Sequence, residues 1–176
     1  MRGHCILSHG FESGPDAGKV TALAAVAERF GWTHERPDYT DLDAKRAVSE
    51  LGDVPTRLER LRGLARMAAS TGPLVLAGSS LGAYISARVS LDVPTVGLFL
   101  MSPPLRMGPM PALDAAAVPL SIVHGWDDTL IPAMDVAHWA EAHRARLLMV
   151  DDGHRLDAHV QDVADAFAAL LAGLSA

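Results

Sequence analysis

Ser80 lies in Gly78-Ser79-Ser80-Leu81-Gly82, a G-x-S-x-G pattern whose chemistry is nucleophilic. A serine hydroxyl attacks only when a base takes its proton and an acid orients that base. A short apolar, β-favouring run from Pro73 to Ala77 precedes the pattern, and a segment of helical composition, Ala83 to Leu91, follows it. A serine placed between strand and helix sits on a sharp, strained turn. There a Cβ two residues to either side would collide with the neighbouring strand or helix. Only Ser80 has glycine at both of those positions, so Ser79 is read as packing beside it.

With this kind of turn the acid and then the histidine follow the serine along the chain. His154, in Asp151-Asp152-Gly153-His154, is the expected base, on a loop directly after the last expected strand. His34, His138, His143 and His159 fall on helices or peripheral strands, and His124 ends a strand and is expected to be buried. His9 faces the same end of the sheet but precedes the serine. The acid is Asp127 or Asp128, and residue type alone does not separate them. Both could instead serve the dipole of the helix that Pro132 opens. Asp151 and Asp152 are too near His154 in sequence to orient its ring from the far side. A developing oxyanion needs backbone N–H donors aimed at it, and Leu81 and Phe11 are expected to supply them.

These residues need a scaffold that gathers them at one end. Short apolar runs alternate with stretches of helical periodicity. Strands are expected near Gly3–Ser8, Thr33–Pro37, Pro73–Ala77, Thr95–Met101, Pro119–His124 and Arg146–Val150. Helices are expected over Asp16–Phe30, Thr56–Ala69, Ala83–Leu91, Pro132–His143 and Asp157–Leu174, with an acidic loop at Asp38–Asp43. This alternation predicts an α/β fold of about six mostly parallel strands with helices on both faces. In such a sheet, functional groups gather beyond the carboxyl ends of the strands. No repeat or linker interrupts the chain, so residues 1–176 are read as a single domain.

Composition narrows the classes. A net charge of −6 and scattered arginines argue against nucleic acid and against anionic membrane surfaces. No run approaches the ~18 apolar residues a membrane span needs. The single cysteine, Cys5, falls in an expected strand and suits a reducing compartment, so a cytoplasmic protein is expected. No metal or other cofactor is expected. His4/His9, His138/His143 and His154/His159 are each five apart. That spacing puts each pair on opposite faces of a strand and about 140° apart on a helix.

Four segments together resemble the α/β-hydrolase superfamily, and within it the small lidless esterases of the YqiA-like group. They are His9-Gly10-Phe11-Glu12-Ser13, Gly78 to Gly82, His124-Gly125 with Asp128 and Ile131-Pro132, and Gly153-His154-Arg155-Leu156. The resemblance implies that Asp128 is the acid and Asp127 a solvated neighbour. The stretch from Met101 to Pro119, where larger members insert a cap, is too short for a helical lid. The first two strands of larger members are also expected to be absent. An open, shallow site is therefore expected.

The expected activity is hydrolysis of a small-molecule ester or thioester through Ser80, Asp128 and His154 and an acyl-enzyme. Lactones and activated amides use the same groups. His9, Gly10, Tyr39, Met101, Met107 and Trp126 are candidate substrate contacts. The acidic loops favour neutral or cationic substrates over polyanions. The alternative is a hydrolase fold used as a binding module with little turnover. The residues assign no oligomeric state.

Overall fold

A computed structural model describes residues 2–174. Six strands form one sheet in which every pairing is parallel: β1 (His4–Ser8), β2 (Thr33–Glu35), β3 (Leu74–Ser79), β4 (Gly97–Met101), β5 (Leu120–Gly125) and β6 (Arg146–Val150). The spatial order is β2-β1-β3-β4-β5-β6. Side chains alternate across a strand, and the core divides accordingly. Ile6, Leu74, Leu76, Leu98, Leu100 and Ile122 face one layer. Cys5, Leu7, Val75, Ala77, Phe99, Met101 and Val123 face the other. Helices α1 (Gly18–Arg29) and α6 (Val160–Leu174) cover the second layer. Helices α3 (Val54–Ala69), α4 (Leu81–Ser90) and α5 (Ala133–Ala142) cover the first, joined by one-turn α2 (Thr40–Asp43).

The order of connections locates the functional end. The chain leaves β1 for β2 on one side, then returns past β1 to β3 on the other. The crevice between the carboxyl ends of β1 and β3 is therefore the switch point where α/β sheets bind ligands. Ser8 pairs with Gly78 there, which sets the His9-Gly10-Phe11 loop beside Ser80.

The local departures from expectation are physical. Within the acidic loop, Thr40–Asp43 coils into α2. Helix α3 starts two residues early because the Asp53 carboxylate accepts the Thr56 N–H at 3.1 Å, capping a first turn that contains Pro55. Asp157–His159 forms a separate 3₁₀ turn before α6. Between β4 and β5 the described residues form neither helix nor strand, so no lid is inserted there. No helix among the described residues is long and apolar enough to cross a membrane.

Candidate active site

Ser80 holds φ 51° and ψ −118° between β3 and α4, a left-handed conformation that costs a non-glycine residue about 1–3 kcal/mol. Both flanking glycines are required. A Cβ on Gly78 would lie 2.2 Å from the Gly82 carbonyl oxygen, and one on Gly82 would lie 2.2 Å from the Ser8 carbonyl oxygen. The turn lifts the Ser80 side chain out of the sheet and leaves the Leu81 N–H, first in its helix, without an intrahelical partner.

His154 follows β6 and Asp128 follows β5. The Ser80 hydroxyl donates to His154 Nε2 at 2.9 Å, and His154 Nδ1–H donates to Asp128 Oδ2 at 2.7 Å. The second Asp128 oxygen, Oδ1, accepts the Leu130 and Ile131 N–H groups at 2.8 and 2.9 Å. This carboxylate accepts three hydrogen bonds and is buried, which fixes its orientation. Asp127 is exposed and directs only its backbone N–H inward, to Asp152. Asp152 is occupied elsewhere, accepting from Gly153, Ala158 and His159. The His154 backbone is held too, because the buried Ser102 hydroxyl donates to its carbonyl at 2.8 Å.

On the other side of Ser80, a Cβ on Gly10 would touch Ser80 Cβ at 3.6 Å, so the β1 loop packs directly against Ser80. Neither the Phe11 N–H nor the Leu81 N–H donates to another group among the described residues. Both remain available to donate to a ligand.

Gly10, Phe11, Ser80 and His154 line one cavity of about 790 Å³. Lys19, Thr129, Leu130, Arg155 and Asp157 also line it, and none of them was among the candidate substrate contacts. Its charged lining is balanced, with Glu12 and Asp157 against Lys19 and Arg155. The expected acidic bias does not reach the cavity. Asp41 binds Arg60, Asp43 is buried against Arg57, and Asp152 binds His159.

The six candidate substrate contacts fall in different places. His9, Tyr39 and Met101 are fully buried. The His9 ring accepts the Tyr39 N–H, the Tyr39 phenol bonds Ser8, and Met101 packs under α1 and α6. Met107 lines a different, apolar cavity of about 440 Å³ with Val48, Leu51 and Met110. Trp126 is exposed and outside the Ser80 cavity. Gly10 alone of the six borders it.

His124 lies beneath the carboxylate, with Nε2–H donating to the Ile131 carbonyl at 3.0 Å and Nδ1 buried without a partner among the described residues. Burial lowers its pKa below the ordinary 6.5, and burial likewise lowers that of His9. The unfolded chain therefore binds these protons first as pH falls, so stability declines below about pH 6.5. The expected result is a thermal midpoint that drops between pH 7.5 and 5.5, with a shallower drop in His124→Gln. Equal slopes would exclude His124 as a contributor.

A crystal structure from Xanthomonas campestris pv. campestris, assigned as a hydrolase of the α/β superfamily, is 71% identical with a TM-score of 0.97. The match covers 98% of this chain and 99% of that one. A second Xanthomonas campestris protein, an α/β serine hydrolase without a lid, is 20% identical with a TM-score of 0.73, covering 96% and 81% of the two chains. Est1E from Butyrivibrio proteoclasticus is 18% identical with a TM-score of 0.77, covering 98% and 88%. The last two bear on the fold alone. No protein-family model and no curated protein matches the chain.

Proposed function

Because the chain belongs to the α/β-hydrolase superfamily, we propose that it is a serine hydrolase cleaving small, uncharged carboxylic esters or thioesters. The observation that carries this reading is the unbroken relay from Asp128 through His154 to Ser80, at 2.7 and 2.9 Å, on the wall of an open cavity. In this reading Ser80 Oγ attacks the acyl carbon as His154 Nε2 takes its proton. Asp128 holds the ring in the required tautomer and stabilises the imidazolium. The Phe11 and Leu81 N–H groups receive the oxyanion, which is where preorganised donors contribute most. His154 then protonates the leaving group. Water activated by the same nitrogen releases the acid from the acyl-enzyme.

The balanced wall charges support neutral substrates, and the missing lid supports short acyl chains that need no covered tunnel. The protein is proposed to act as one domain. Its single cysteine, buried in β1, fits a cytoplasmic setting. A fluorophosphonate probe is expected to label the protein at Ser80, with no labelling of Ser80→Ala. Among p-nitrophenyl esters from acetate to octanoate, turnover is expected to peak at or below butyrate. Rising turnover to octanoate would instead assign acyl binding to the apolar cavity beside Met107. Absence of Ser80-dependent labelling and turnover would leave the binding-module reading.

A further inference from the structure

Arg57 is a fully buried arginine on the core-facing side of α3, and the proposed mechanism does not use it. Its Nη2 donates to the His9 carbonyl at 3.0 Å and to the Gly10 carbonyl at 3.2 Å. His9 Nε2 accepts the Tyr39 N–H, so Nδ1 carries the ring proton and donates to the same Gly10 carbonyl at 2.7 Å. In a trans peptide, C=O and N–H point in opposite directions. Holding the Gly10 carbonyl toward Arg57 therefore turns the Phe11 N–H away from it, toward the Ser80 cavity that Gly10 and Phe11 line.

The next peptide unit is held from α2. Asp43, also buried, accepts the Glu12 N–H on Oδ2 at 3.1 Å, and Glu12 carries a positive φ of 56°. Asp43 Oδ1 and Arg57 Nε face each other at 3.6 Å, and the guanidinium stacks over the Tyr39 ring at 4.4 Å. The peptide units before and after Phe11 are thus gripped by opposite charges that are themselves paired.

Resting on the serine-hydrolase reading, we infer that Arg57 and Asp43 are positioning residues that clamp the β1 loop so that the Phe11 N–H points at the oxyanion. A purely structural role explains the arrangement poorly. Arg57 Nε and Nη1 and Asp43 Oδ1 have no hydrogen-bond partner among the described residues. A desolvated ion pair so incompletely satisfied is a weak source of stability compared with apolar packing. The bonds this pair does complete all go to the loop or to the elements facing it.

The test compares wild type, Arg57→Lys and Arg57→Met on p-nitrophenyl acetate, with folding followed by circular dichroism. A lysine keeps the charge but is a flexible point charge, without the planar guanidinium that lies over the Tyr39 ring and fixes where Nη2 sits. Both variants are expected to lose about 10- to 100-fold in kcat, approaching the loss of one oxyanion donor, with KM within about threefold. Inhibition by a trifluoromethyl ketone, whose adduct presents an oxyanion, should weaken by the same factor. Inhibition by the matching methyl carbinol, which forms none, should not. Unchanged kcat in a folded variant would overturn the clamp while leaving the hydrolase reading intact. Failure of both variants to fold would assign Arg57 to core stability and overturn it as well. Absence of Ser80-dependent turnover in wild type would remove the hydrolase reading and the clamp with it.

Discussion

Ser80→Ala is expected to lower kcat/KM for p-nitrophenyl acetate by at least about 10⁴-fold, to the background of a cavity without a nucleophile. The same variant should leave stability within about 0.5 kcal/mol of wild type. Two features of the site separate these effects. The strained backbone at φ 51° belongs equally to serine and alanine, so the substitution neither relieves nor adds strain. The hydroxyl makes one hydrogen bond, to His154 Nε2, and the His154 side chain is 20% exposed, so water replaces the lost partner. Comparison of turnover with a urea melt checks both halves. Residual turnover within tenfold of wild type would exclude Ser80 as the nucleophile. A large loss of stability would mean that the serine has a structural duty its contacts do not reveal.

Asp128→Asn should be almost as damaging to turnover, by about 10⁴-fold in kcat, although it changes a single atom. The reason lies in the two backbone donors on Oδ1. The Leu130 and Ile131 N–H groups require an acceptor, so an asparagine must present its carbonyl oxygen to them. Its amide nitrogen then faces His154 Nδ1 as a donor. To accept that bond, Nδ1 must give up its hydrogen and Nε2 must carry it. A protonated Nε2 cannot take the Ser80 proton. The wrong tautomer becomes the stable one. Asp127→Asn should leave turnover within about twofold, because the exposed Asp127 side chain does not contact His154. Steady-state kinetics on the two variants decide the matter, and equal losses would mean that the loop, not the carboxylate, is being measured.

Much of this site was legible because its demands are local. The glycine at each side of Ser80 is a steric requirement of one turn, and the collisions at Gly78 and Gly82 bear that out. A sheet of about six mostly parallel strands followed from apolar runs alternating with helical periodicity, whereas the switch point beside β1 and β3 came only with the strand order. The short stretch after Met101 likewise announced an uncovered site. Substrate contacts were not legible, because exposure at a strand end depends on which way the chain turns next. His9 and Tyr39 sit on the right loops and point inward.

Arg57 left a signal in the sequence that went unread. It lies four residues before Leu61 and eight before Ala65, on the apolar stripe of its helix, where a charge is out of place unless something meets it. Sequence by itself determined the strained turn at Ser80, the order of the candidate groups along the chain and the parallel sheet, since each rests on residue type and spacing. Residue type left Asp127 and Asp128 open and the family resemblance pointed to Asp128; the tertiary structure places its carboxylate on His154. It alone decided that the cavity charges cancel, and that a buried ion pair from α2 and α3 holds the Phe11 loop. Those are distances between residues far apart in the chain, and they exist only once the helices have packed against the sheet.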